Sequence, residues 1–245
     1  MKSTRLSRLR EALRARDWLG IVIELVVVTL GVLLAFQVDQ WGDRHKQAQD
    51  EYRFLERLYM EYHRSLAELD EVDRDNQKIR RNIREALAAR GDQARLEALS
   101  RRSSFGCGIA RLRSANFNDT SFEELIASGR LNLISDPALR SEARDLAASQ
   151  ATSARQVEYS RELMLNQLPY LDPYYRYNIH PDGAEQCWVD WPALVKDPRA
   201  VNAIARAYRT HGFVLEERQK VRARTNALIH RLACKLSKPE CVRGS

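Results

Sequence analysis

Four residues whose side chains can do chemistry lie close together in the segment NIHPDGAEQC: His180, Asp182, Glu185 and Cys187. Imidazole, carboxylate and thiolate groups bind metals and serve as acids, bases and nucleophiles in enzymes. Their spacing matches no metal-ligand template, and a His beside Pro-Asp-Gly is typical of a turn. The segment therefore predicts a turn, with no metal, no catalytic residue and no cofactor.

The chain contains four cysteines, Cys107, Cys187, Cys234 and Cys241. None of them forms a Cys-x-x-Cys motif, which argues against a zinc site. An even number of cysteines is typical of disulfides in an oxidising compartment, so we predict two disulfide bonds. A local bridge between Cys234 and Cys241 would leave Cys107 with Cys187, but the sequence does not decide among the three possible pairings.

Other motifs of enzymes are missing from the sequence. It has no GxSxG, HExxH, GxxxxGK or GxGxxG, and His63, His211 and His230 fall singly on predicted helices, where they are typical of boundary residues. The net charge is +7, but Arg and Lys alternate with Asp and Glu along the chain instead of forming one basic stripe. We therefore predict neither an enzyme nor a nucleic-acid-binding protein.

The apolar stretch IVIELVVVTLGVLLAFQVDQW predicts a transmembrane helix over residues 18–41. A helix of this length spans roughly 35 Å, which matches the hydrocarbon core of a bilayer. Trp18 and Trp41 stand at its two ends, where tryptophans prefer the membrane interface. We therefore predict that the lipid bilayer is one partner of this protein.

Charges on either side of this helix predict its orientation. Residues 1–17 form a basic arm, and positively charged flanks stay in the cytosol, so residues 42–245 are expected outside it. For a bacterial protein this places the helix in the inner membrane and the C-terminal domain in the periplasm. A cleaved signal peptide is the alternative, but the apolar run is longer than a signal core and lacks a small-x-small cleavage site.

A carboxylate, Glu24, lies inside the predicted transmembrane helix. On a helix it shares one face with Gly31 and Ala35, which form a small-xxx-small pair of the kind found where two membrane helices pack. Two interpretations remain open. Either Glu24 reaches toward the cytoplasmic headgroups, or it contacts a donor on another helix, in a different membrane protein or a second copy of this chain.

The remainder of the chain predicts an all-α extracytoplasmic bundle. A heptad-like apolar pattern over residues 43–90 indicates one helix that continues from the membrane helix, and its segment ELDEVDRDNQKIRR is typical of a solvated face. Helix boundaries are predicted at Gly91, at a capping box of Thr120 and Glu123, at Gly129, at Ser135 or Asp136, and at Asp197. Residues 169–198 lack a helical period and predict a long aromatic loop.

Two blocks of the sequence resemble a known family. IELVVVTLGVLLAFQVDQW has a glutamate early in the span and a Gln-x-Asp-x-Trp exit, and FEELIASGRLNLISDPALR has a Leu-Ile-x-Ser-Gly-x-Leu-x-Leu-Ile-x-Asp turn. Together with the intervening start of the long helix they are similar to a bacterial family of uncharacterised single-pass membrane proteins, a domain of unknown function. The resemblance covers about 60 residues and implies architecture rather than activity.

These features favour a membrane-anchored, non-enzymatic interaction protein, either an accessory subunit of an inner-membrane assembly or a scaffold that associates with itself. The alternative is a periplasmic ligand-binding domain of the sensor type. It is weakened by the cytosolic arm, since residues 1–17 are too few to form a signalling domain.

Overall fold

The computed structural model describes residues 4–117, 120–179 and 185–241, and these residues are mostly helical. The helices are α1 (Thr4–Ala88), α2 (Gln93–Ser100), α3 (Thr120–Ala127), α4 (Pro137–Leu165), α5 (Leu168–Leu171), α6 (Trp191–Leu194) and α7 (Pro198–Lys235). Two strands, β1 (Tyr175–Ile179) and β2 (Glu185–Val189), form an antiparallel pair. The chain divides into two compact units, Met1–Arg53 and Phe54–Ser245.

The N-terminal unit exposes its apolar side chains. The large apolar residues described between Val22 and Val38 are 45–66% exposed. The most apolar 18-residue window of this helix has a mean hydropathy of 2.1, and none of it is buried. Among the described residues this is the one helix long and apolar enough to cross a membrane. Its length and composition thus agree with the predicted span.

Helix boundaries in the second unit follow local signals. Gly91, at φ +101°, and Gly129, at φ +68°, lie just after α1 and α3 in the left-handed conformation that glycine adopts at low cost. The Asp136 carboxylate accepts hydrogen bonds from the first amides of α4, and Asp197 does the same for α7. These four predicted boundaries are confirmed.

The start of α3 differs from the predicted local capping box. Thr120 is the first residue of the helix, and residue 119 lies outside the described residues. The carboxylate of Glu61 on α1 accepts a hydrogen bond of 3.3 Å from the Ser121 amide and one of 2.6 Å from the Ser121 hydroxyl. A side chain 60 residues away in sequence therefore caps this helix.

Residues 169–198 contain more regular structure than the predicted aromatic loop, since strands β1 and β2 form a two-stranded hairpin there. The described chain is otherwise helical, in agreement with the all-α prediction. The β1–β2 register runs from Tyr175 opposite Val189 to Ile179 opposite Glu185. Both strands are rich in aromatic and β-branched residues, which favour extended backbone. In β2, buried Cys187 and Val189 alternate with half-buried neighbours. This period of two is typical of a strand and differs from the period of 3.6 of a helix.

Two large apolar cores and a small cluster of Leu112, Val157 and Val214 lie within the second unit. One contains α1 residues from Phe54 to Val72, together with α3, the first half of α4 and the end of α7 from Val221 onward. The other contains the end of α1 from Ile83, together with α2, α6 and the start of α7. Along α1 and α7, the stretches between the two large cores carry buried polar side chains, and on α7 buried Val214 and Leu215 lie among them.

Candidate functional site

The residues predicted to make a helix contact lie on α1. Glu24 and Ala35 are exposed, and a Cβ placed on Gly31 would have no heavy atom of the described chain within 4 Å, apart from the local helix backbone. An open face with a small residue at its centre leaves room for the backbone of a second helix. Whether a second helix occupies that face stays a prediction.

The two tryptophans predicted at the membrane interfaces are both exposed, Trp18 by 69% and Trp41 by 71%. Trp41 stacks on the His45 ring, with the ring centroids 5.9 Å apart. An exposed indole needs an amphipathic environment, since its rings are apolar and its N–H is a donor. The interface between bilayer and water supplies that environment.

The cysteines form two pairs at disulfide distance. Cys107 bonds to Cys187 with an S–S distance of 2.08 Å, and Cys234 bonds to Cys241 at 1.99 Å. Of the three pairings that the sequence allowed, the structure has the one with the local C-terminal bridge. The first disulfide joins the turns after α2 to strand β2, across 80 residues of sequence.

The NIHPDGAEQC segment is only partly described. His180 and Asp182 lie outside the described residues, as does the side chain of Glu185. The thiol of Cys187 is consumed in the disulfide with Cys107 and does not offer a thiolate. In the described ranges, no group of three or more His, Cys, Asp and Glu residues is placed to hold a metal ion.

The polar stretches between the two cores form a network of ion pairs, which we call the polar waist. Asp73 on α1 accepts hydrogen bonds from Arg218, at 3.3 Å, and from Arg222, at 2.9 Å. Arg218 also donates to the backbone carbonyl of Arg113, and Arg222 pairs with Asp70. Arg218 is 1% exposed, and burial lowers its pKa although Asp73 opposes that shift.

Two further buried residues of the polar waist are incompletely hydrogen-bonded. His211 on α7 is fully buried, and its Nε2 lies 2.9 Å from the carbonyl oxygen of Ile109. That carbonyl requires Nε2 to carry the proton, which leaves Nδ1 as an acceptor with no partner in the described residues. Burial lowers the pKa of His211. The Nδ2 group of Asn76, a residue 1% exposed, likewise has no partner there.

A cleft of about 140 Å³ adjoins the polar waist. One wall belongs to α1 and includes Asn76 and Lys78, and the other is the irregular segment between α2 and α3, including Arg111 and Arg113. A narrow, polar and cationic depression of this kind can hold a small ligand with negative charge.

Comparisons with protein-family models, with curated proteins and with solved structures found no match for this chain. The resemblance of the two sequence blocks to a membrane-protein family therefore stays a prediction. The function has to be argued from the geometry of this molecule.

The buried charges of the waist correct two predictions made from sequence. The segment ELDEVDRDNQKIRR was predicted to be solvated, yet Asp73 and Asn76 are buried, and His211 lies in the interior rather than at a boundary. The spacing of polar residues in the α7 sequence indicates their burial. Buried positions of α7 include His211, Arg218 and Thr225, spaced by seven residues, so these polar residues share the apolar face of their helix.

Proposed function

We propose that this protein is a non-enzymatic interaction protein, an accessory subunit or scaffold, held at the bacterial inner membrane by α1 with its second unit in the periplasm. The observation that supports this most is the apolar stretch of α1, whose described side chains are exposed in the isolated chain. Exposed apolar surface of this extent is stable in a bilayer and unfavourable in water.

The disulfides support the same placement. Two bonded cysteine pairs are typical of proteins that fold in an oxidising compartment such as the periplasm, and the cytosol keeps thiols reduced. Both pairs belong to the unit that follows the apolar stretch. A basic arm on the cytosolic side and a disulfide-bonded domain on the other side are consistent with one orientation.

The Glu24 face is the part of the anchor that we expect to contact a partner. A carboxylate within a span is costly unless it is hydrogen-bonded or reaches the headgroups, and Gly31 and Ala35 permit a close approach of backbones. The partner is another membrane protein or a second copy of this chain. In either case the contact needs the small residues to remain small.

Crosslinking of the full chain in membranes tests this proposal. Cells would express two differently tagged copies, and crosslinked products would be purified in mild detergent and assigned by mass spectrometry. We expect a product of fixed stoichiometry, either the dimer or a complex with one other membrane protein. Gly31→Leu should abolish it by bulk, and Glu24→Gln should weaken the association by roughly 1 kcal/mol, since the amide retains part of the hydrogen bonding.

Val26→Leu is the matched control, because Val26 lies on the same exposed helix away from the Glu24 face. It should leave the crosslinked yield unchanged at equal expression. If Gly31→Leu and Val26→Leu give the same yield, α1 is only an anchor. If the wild-type chain yields no defined complex at all, the interaction function itself is wrong.

A further inference from the structure

The cleft beside the polar waist carries an excess of positive charge. Lys78 and Arg111 are exposed at it, and neither side chain has a hydrogen bond or ion pair within the described chain. Arg113 donates from one terminal nitrogen, Nη1, to both of its acidic partners, Asp75 at 2.7 Å and Glu71 at 3.0 Å. The other N–H groups of the Arg113 guanidinium donate to no side chain among the described residues. The lining therefore has three cations and one acid, Asp75, while Glu71 pairs with Arg113 from outside the lining. Among the described lining residues, the two side chains whose charge is unpaired are those of Lys78 and Arg111.

An unpartnered amide lies at the same place. Asn76 lines the cleft, is 1% exposed and leaves its Nδ2 group without a hydrogen-bond acceptor among the described residues. A buried donor without an acceptor costs about 1–3 kcal/mol, and an acceptor that enters the cleft, from a ligand or from water, would recover that cost. Because the two ends of an amide exchange by a half-turn of the side chain, Asn76 can direct its NH₂ group into the cleft.

The opposite wall of the cleft is fixed in position before any ligand binds. Its carbonyl groups are held from behind by side chains of other elements: Tyr175 donates to Gly106, His211 to Ile109, Arg161 to Leu112 and Arg218 to Arg113. The disulfide at Cys107 adds a covalent tie. A rigid wall lowers the conformational entropy that ligand binding would otherwise cost.

Gly106 shows how closely this wall is packed. It has φ +85°, and a Cβ at this position would lie 2.4 Å from Cζ2 of the buried Trp191 ring. Only glycine fits such a conformation and such a contact. The chain forms turns at this point, and the residues that follow, including Arg111, line the cleft opposite α1.

We propose that this cleft binds a small oxyanion, a compound of low mass carrying carboxylate or phosphate oxygens. Arg111 and Lys78 would supply the charge, Arg113 its free guanidinium donors, and Asn76 an amide hydrogen bond. A space of about 140 Å³ is close to that of a cavity that holds benzene, so the bound part of the ligand has about six to eight heavy atoms. This site lies within the second unit, and the inference does not rest on the proposed interaction function.

Isothermal titration calorimetry of the full chain in detergent micelles tests the proposal. Inorganic phosphate, succinate and putrescine would be titrated separately at equal ionic strength, with chloride as the background anion. We expect saturable one-to-one binding of phosphate, of succinate or of both, and none of putrescine, which has the carbon length of succinate and the opposite charge. Which anion binds more tightly distinguishes a tetrahedral from a planar oxyanion.

Variants locate the binding. Lys78→Gln and Arg111→Gln should each weaken binding by about tenfold or more, the effect of losing a charge-assisted hydrogen bond. Lys196→Gln and Arg144→Gln are the controls, since both residues are exposed, lie away from the cleft and have no ion pair in the described ranges. They should bind as the wild type does. Circular dichroism checks that all four variants keep their helix content.

The proposal fails if neither phosphate nor succinate binds saturably to the folded wild-type chain. It also fails if Lys78→Gln and Arg111→Gln bind as well as the two control variants, because the anion would then sit elsewhere. Success here together with failure of the crosslinking experiment would leave the protein a ligand-binding domain of the sensor type.

Discussion

Two regions of this molecule break the usual rule of apolar inside and charged outside in opposite ways. The first half of α1 exposes apolar side chains, 66% of Leu25 for example, whereas the second unit buries Arg218 to 1% and Asp73 to 6%. The first arrangement is stable only in an apolar solvent, and the second only where each charge meets its opposite. Which side chains a segment buries therefore indicates its surroundings: exposed apolar side chains indicate an apolar solvent, and buried charges indicate partners of opposite charge.

The largest expected effect concerns the compartment in which the second unit lies. In the orientation that we propose, with the basic arm in the cytosol, a reporter fused after Ser245 should be active only if it is of a type that works in the periplasm. The expected difference is all-or-none. Activity of a cytosolic reporter at the same position would overturn the topology.

The disulfides should show that the second region depends on its compartment. Replacing Cys107 and Cys187 by Ala should lower the free energy of unfolding by about 4 kcal/mol, and replacing Cys234 and Cys241 by about 2 kcal/mol, since the loops they close span 80 and 7 residues. Urea unfolding would measure both. Thiol labelling of the denatured, unreduced wild type should find essentially no free cysteine, and four labelled thiols would contradict the bonds.

The buried charge of Arg218 gives the next largest effect. Arg218→Met should lower the free energy of unfolding by about 3 kcal/mol, because Asp73 stays buried with a weaker set of partners. Lys220→Met, in an exposed pair with Glu217 on the same helix, should cost less than about 1 kcal/mol. Adding Asp73→Leu to Arg218→Met should recover much of the loss. Equal losses for Arg218 and Lys220 would mean that the waist contributes no more than a surface pair.

The smallest effect concerns pH. Because burial lowers the pKa of His211 below its ordinary value of 6.5, the unfolded chain binds more protons than the folded chain below that pH. The contribution of His211 to the free energy of unfolding should therefore be constant above about pH 7.5 and fall as the pH drops through 6.5, with a slope of at most about 1.4 kcal/mol per pH unit. His211→Gln, which keeps a donor for Ile109, should flatten this part of the urea profile. An unchanged profile would place the titration elsewhere.

Much of the fold was predictable because its signals are local. Gly91 and Gly129 end helices through their own backbone freedom, and Asp136 and Asp197 cap helices whose amides lie two or three residues away. The hairpin in residues 169–198 was predicted as a loop because the segment lacks a helical period, although the alternation of Cys187 and Val189 with more exposed residues is typical of a strand. The candidate cleft could not be predicted, since its walls are distant in sequence.

The long apolar stretch, most of the helix boundaries and the four cysteines follow from the amino-acid sequence, because each depends on composition or on residues within a few positions of one another. The tertiary structure decided that Asp73 meets Arg218 across 145 residues, that Glu61 caps α3, and that Lys78 and Arg111 face one cleft. Helical periodicity in the sequence predicts which residues lie on the same face of one helix. Burial and ion pairing also depend on which helices pack against that face, and this is a property of the tertiary structure.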